Sequence, residues 1–239
     1  MNDYQNYQNY YQGGYDQRAL DTKVSSVMKK VYVKMFLGLL VTAFVSYFCA
    51  GSQAVLSFFS QHSALMWVIF LVELGLVFAI SGGINKMSSP TATLLFYLFA
   101  VVNGLALFPI FIVYTGVSIG KTFFITAGTF GAMSIYGYLT SQDLTKWGSI
   151  LFMALIGLII CAVVNIFWAN STFDWIISAL GVLIFVGLTA WDTQNIKRMA
   201  MAAPAESVAK LATIGALSLY LDFINLFLYL LRFFGNSRD

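Results

Sequence analysis

ALSLYLDFINLFLYLLRFFG, residues 216–235, is long and apolar enough to cross a bilayer as one helix, for which about 20 residues are needed. Yet it carries an aspartate, Asp222, in its first half. A carboxylate at helix-centre depth costs roughly 2.5 to 3.5 kcal/mol on insertion scales, so an acid there points to function. Immediately upstream, VLIFVGLTAWDTQNIK, residues 182–197, repeats the pattern with Asp192. Two acids on consecutive apolar segments suggest a pair.

Working outward from these strings, the whole chain has the same character. Of its 239 residues, 59% are hydrophobic and only 10% charged, whereas charged residues approach a quarter of an ordinary soluble domain. Runs of spanning length fall near Val31 to Ala50, Ala64 to Ser81, Thr91 to Tyr114, Thr122 to Thr140, Gly148 to Ala169, Trp175 to Trp191 and Leu211 to Phe234. Long uninterrupted runs, rather than alternating ten-residue segments, exclude a transmembrane barrel. The expectation is an all-α membrane protein, a seven-transmembrane-helix bundle over residues 25–235. Residues 1–24 precede it as a cytosolic tail rich in Tyr, Asn and Gln, with few aliphatic residues to bury and therefore expected to be disordered.

With the N-terminus inside, every Lys and Arg except Lys121, Arg232 and Arg238 falls on the cytosolic side, which sets an N-in, C-out topology in a cytoplasmic (inner) membrane. Aromatic residues mark the same boundaries: Tyr32, Trp147 and Trp191 inside, Trp67, Tyr114, Trp168 and Trp175 outside. Short connections leave no room for a soluble domain and make neighbouring helices antiparallel. The first apolar run is span-length and lacks a cleavage site, so it reads as an uncleaved anchor. Cys49 and Cys161 lie far apart inside spans and read as packing residues. His62, the single histidine, sits in an outer loop and gives neither a zinc site nor a catalytic triad. Pro109 loosens the third helix. The sequon Asn170-Ser171-Thr172 lies in a loop too close to the bilayer for use. No phosphate loop, dinucleotide fingerprint or HExxH is present, and nucleic acid is not an expected partner.

In the last span Gly215, Ser218, Asp222, Asn225, Tyr229 and Arg232 recur three and four apart, on one face. Polar groups unsatisfied in hydrocarbon cost several kcal/mol, so this seventh helix is expected to be central or pore-lining. The fourth run carries a milder stripe of threonines, read as hydroxyls bonding back to their own helix or gluing neighbours. Asp192 can come level with Asp222 only if the sixth helix continues past it towards Arg198, and WDTQNIKRM has no breaker. Glu73 is a third buried acid, expected to join the pair or line the outward route together with Ser218, Asn225 and Tyr229. At an effective dielectric of about 20 and roughly 3.5 Å, two ionised carboxylates repel by on the order of 5 kcal/mol, or roughly three pK units. One would hold its proton, and the pair would titrate as a unit. Such a pair locks two helices while it shares a proton, and separates or binds a cation when it loses it. Calcium, which accepts irregular sets of oxygens, fits Asp192 and Asp222 best as the bound or transported ion; no cofactor is expected. In the alternative, each Asp caps or hydrogen-bonds a neighbouring helix on its own.

These residues carry a resemblance. LVELGLVFAIS (71–81), WDTQNIK (191–197) and ALSLYLDFINLFLYLLRFFG (216–235) make residues 25–235 resemble the Bax inhibitor family, or transmembrane BAX inhibitor motif family, in its bacterial branch. The resemblance implies a seven-helix bundle with the seventh helix surrounded by the other six, and a pH-sensitive calcium leak gated by a di-aspartyl unit at Asp192 and Asp222. Glu73 matches a family acid. Where the family has a basic cluster that latches the gate, this chain reads SGGINKMSSP (81–90), so Lys86 alone is the latch candidate and would act as a point charge, not a fork.

Three function classes follow. The first is the calcium leak channel, with the lipid bilayer, calcium and protons as partners. The alternative is a non-transporting integral membrane regulator of other membrane proteins, such as a membrane protease. An intramembrane aspartyl protease also places an Asp on each of two adjacent helices, but Asp222 follows SLYL rather than Gly-x-Gly and no Pro-Ala-Leu string follows it, so no enzyme is expected.

Overall fold

The computed structural model describes residues 17–236, apart from the side chain at 205. It is helical nearly throughout: α1 (Asn2–Gly51, described from Gln17), α2 (Gln53–Gln61), α3 (Leu65–Gly83), α4 (Ser89–Val113), α5 (Gly116–Leu139), α6 (Thr145–Trp168), α7 (Ser171–Ala202) and, after a 3-10 turn at Ala205–Ser207, α8 (Val208–Phe234). Local chemistry sets the breaks. Ser52, Ser88, Thr115 and Asn170 each cap the helix that follows by accepting from the backbone N–H three residues on. Helix α7 stops at Ala202 because Ala203 precedes Pro204 and is extended.

Among the described residues, six helices are long and apolar enough to cross a membrane: α1 from Gln17, α3, α4, α6, α7 and α8. The expected span Thr122 to Thr140 lies mostly in α5, whose 24 residues give about 36 Å; its glycines, serines and threonines keep it outside that apolar set. Helix α2 was not expected. Its nine residues pack on α1 through Ser52-capped backbone and reach α4 through Phe59, 5.1 Å from the Phe108 ring. The tail boundary expected at residue 24 falls inside α1, because Val24, Val27, Met28 and Val31 recur three and four apart and are all buried. The remainder of the tail, residues 1–16, lies outside the described residues.

Helix α8 is the most buried element, with 67% of its apolar window covered against 6% for α3 and for α6. It packs on α1, α4, α5 and α7, while α3 reaches the bundle through α4 and α6 through α7. The expectation that six helices surround it is corrected to four principal neighbours. Both peripheral helices are predominantly apolar, Glu73 of α3 being bonded to Asn103 of α4, and for the rest of such a surface lipid serves as well as protein. Gly137 permits a close backbone approach: a Cβ there would stand 2.1 Å from the Ala190 carbonyl oxygen, so α5 lies directly against α7 two residues from Asp192.

Candidate functional site: an acid pair and a tyrosine network on the two faces of α8

Asp192 reaches Asp222 because α7 continues. From Asp192 to the end of α7 at Ala202 is about 15 Å of helix, and from Val208 to Asp222 about 21 Å, so the antiparallel arms bring the two side chains to similar depth. The carboxyls lie within hydrogen-bonding reach of each other across the α7–α8 interface. Asp192 is half-buried and Asp222 is 4% exposed. Asp222 Oδ2 is shielded from solvent and receives no hydrogen bond from any described group. No third His, Cys or acidic residue joins them among the described residues. A calcium ion here would therefore draw its remaining ligands from carbonyls and water.

The rest of the expected stripe separates. Ser218 is half-buried and makes no described hydrogen bond, while Asn225 Nδ2 closes on the Leu221 carbonyl of its own helix at 2.8 Å. Tyr229 lies against Gly181 and stacks on Phe185 at 5.9 Å. Beyond it Arg232 pairs with Asp174 at 2.9 Å, tying the last turn of α8 to the first of α7. Gly215 faces Ile196 and Val31 rather than a polar lining.

Glu73 does not join the aspartates. Asn103 Nδ2 donates to Glu73 Oε1 at 2.7 Å, the Tyr220 hydroxyl donates to Asn103 Oδ1 at 2.8 Å, and Thr42 Oγ1 lies 2.6 Å from that hydroxyl and donates to the Ala100 carbonyl at 2.8 Å. Four helices, α3, α4, α8 and α1, are thus joined on the face of α8 opposite Asp222. Sequence reasoning missed Thr42, Asn103 and Tyr220. A mid-span asparagine was the available signal, since its amide must find partners in hydrocarbon.

Lys86 is exposed beyond the end of α3 and makes no described hydrogen bond to the pair. The basic group that does reach α8 is Lys34, which donates to Thr93 Oγ1 and Thr213 Oγ1, each at 2.7 Å. On α7, within two turns of Asp192, a clasp holds the α5–α6 loop. Gln194 Oε1 accepts from Leu144 N at 2.9 Å and from Arg198 at 2.7 Å, and its Nε2 donates to the Gln142 carbonyl at 2.7 Å. Arg198 also pairs with Asp143 at 2.5 Å. Hydrogen bonds from the Thr145 hydroxyl and backbone N–H, then from Arg198, hold the exposed Asp143 carboxyl well below the usual carboxylate range.

The chain is similar to known proteins along nearly all of its length. A family model described as "Inhibitor of apoptosis-promoting Bax1" (Bax1-I) matches residues 24–239. "Inner membrane protein YbhL" of Escherichia coli (strain K12) is 45% identical over 218 residues, covering 90% of this chain and 93% of its own. An uncharacterized protein of Borreliella burgdorferi is 48% identical over 214 residues, 89% of this chain and 92% of its own. Another from Rickettsia prowazekii is 42% identical over 223 residues, 93% and 94%.

Proposed function

Since this chain belongs to the Bax inhibitor family and is an integral membrane protein, we propose that it is a pH-sensitive calcium leak channel of the cytoplasmic membrane, gated by Asp192 and Asp222. In this reading α5 completes the set of seven spans, the N-terminus is cytosolic and the C-terminus outside. The observation that supports it best is the meeting of two carboxyls from α7 and α8 around a buried oxygen that no protein donor satisfies.

One proton between the carboxyls supplies the donor that the surrounding helices do not, and the pair then holds α7 to α8. Without it, two like charges at contact distance and an effective dielectric of about 20 repel by on the order of 5 kcal/mol. The helices part, or a divalent cation takes the proton's place. The half-buried Ser218 and Asn225, on the same side of α8, offer oxygens along a route opened in this way. No bond-making chemistry is assigned to the site.

Fluorescence-reported calcium flux into liposomes containing the purified protein, across a pH series, tests this. Wild type gives a pH-dependent leak, and Asp192→Asn or Asp222→Asn flattens the profile. Identical curves for all three proteins reject the gate. Zero flux at every pH together with a stably co-purifying membrane protein supports the regulator instead.

A further inference from the structure

Helices α1 and α5 both pack on α8 but scarcely on each other. Between them is a cleft of about 910 Å³. Its lips are exposed apolar side chains, Val33 and Phe36 on α1, Ile135 and Leu139 on α5, and its floor is Phe223 of α8 with the Phe130 ring 5.4 Å away. It runs from Ser25 to Leu39 along α1, about 21 Å, and from Phe123 to Leu139 along α5, about 24 Å. One leaflet of hydrocarbon is about 15 Å deep, half of the roughly 30 Å core. A smaller void of about 90 Å³ continues past Leu39, Phe123 and Phe223.

Shape and chemistry choose the occupant. The cleft is a groove about 21 Å long, open along one side and walled almost wholly by apolar side chains. Water finds too few polar partners along apolar walls. Hydrocarbon chains fit. At one end of the cleft stand Lys29, Tyr32 and Tyr138, and Lys197 lies 4.8 Å over the Tyr138 ring. Lys29 is exposed and makes no ion pair with a described residue. Partway in, Ser134 lines the wall with its hydroxyl buried, 5% exposed and without a hydrogen-bond partner. An ammonium group and phenol hydroxyls at the mouth and an unpaired hydroxyl below them match the phosphate and the acyl ester of a glycerolipid.

We propose that the α1–α5 cleft is a lipid site that takes the acyl chains of an anionic glycerophospholipid, with its phosphate at Lys29 and Tyr32 and an ester carbonyl at Ser134. The chains lie against Phe223, the neighbour of Asp222 on α8, so the bound lipid fills the space between two helices that hold the central one. The site stands independently of ion flux.

Native mass spectrometry of the delipidated protein, titrated with phosphatidylglycerol or phosphatidylcholine, tests the proposal. Gly131 lines the cleft, and a Cβ there meets nothing within 4 Å, so Gly131→Phe projects a ring into the cleft from an open position. Gly157→Phe adds the same ring to equally open space on α6 and serves as control. Gly131→Phe is expected to lower retention of both lipids about tenfold and Gly157→Phe to leave it unchanged. Lys29→Gln is expected to lower phosphatidylglycerol retention about fivefold and phosphatidylcholine retention less, because the choline group offsets the phosphate charge. Ala127→Leu, a gentler filling, should fall between wild type and Gly131→Phe, and keeps the test decisive if the larger variant unfolds on heating. Wild-type retention in both filled variants overturns the site. So does equal retention of the two lipids with no effect of Lys29→Gln, or loss of a dimer in light scattering on Gly131→Phe while lipid binding is unchanged, which would make a second copy the occupant.

Discussion

The two faces of α8 handle buried polarity in opposite ways. Towards α1 and α4, Tyr220 is fully buried and its hydroxyl meets both Asn103 and Thr42, with Glu73 satisfied at the far end. Towards α7, two residues on, Asp222 meets only another acid, and one of its oxygens has no donor. A hydroxyl–amide–carboxylate chain is complete with protein groups alone and works as a fastening. Two carboxyls are acceptors when ionised, so their contact is cohesive only with a proton between them. Under the proposed gating, the same helix therefore carries a static joint and a joint that depends on solution conditions.

The largest effect should come from breaking the second joint. Raising the pH strips the shared proton, and wild-type thermal stability in lipid nanodiscs should fall by up to about 5 kcal/mol, the repulsion at an effective dielectric near 20. A double Asp192→Asn, Asp222→Asn variant should melt at one temperature across the series. A wild-type melt equally flat from acid to alkaline pH would remove the distinction between the faces.

Breaking the first joint should cost less and do so at every pH. Tyr220→Phe leaves Asn103 and Thr42 short of a partner and should destabilise by about 1 to 3 kcal/mol, with the pH profile of calcium flux unmoved. A displaced profile would mean that the two faces are coupled. Smaller still is the Glu73–Asn103 bond, for which a double-mutant cycle should return about 0.6 kcal/mol, typical of hydrogen bonds between membrane helices.

The smallest effect is a control on the pH reading. With its carboxyl held low, Asp143 contributes to the Arg198 clasp fully above the ordinary aspartate value of 3.8 and loses that contribution only as pH falls below it. Amide exchange of the α5–α6 loop should therefore be the same at pH 5 and pH 8 once corrected for intrinsic rates. A loop that loosens in that window would offer a second origin for pH sensitivity.

Much of this was legible in residues 182–235. Asp192 and Asp222 announce themselves because an acid in an apolar run has so few reasons to be there, and WDTQNIKRM contains nothing to stop α7, so the two were expected to come level. The assignments that changed concern partners. Glu73 was grouped with the aspartates because acids attract attention together, yet Asn103 holds it on the other side of α8. Lys86 was the basic candidate from its neighbourhood in SGGINKMSSP, whereas Lys34 reaches α8. A period of 3.6 says which residues share a face, but not which helix that face meets.

By itself the amino-acid sequence determined the membrane setting, the long apolar helices, the two aspartates set in apolar segments and the family. These depend on hydrocarbon solubility and helix length, which are local sums along the chain. Tertiary structure alone decided that four helices, not six, enclose α8, that Tyr220 gathers Asn103 and Thr42, and that α1 and α5 stand apart to leave a cleft. In lipid no hydrophobic force selects neighbours, so pairing rests on close packing at positions such as Gly137 and on hydrogen bonds between helices remote in sequence.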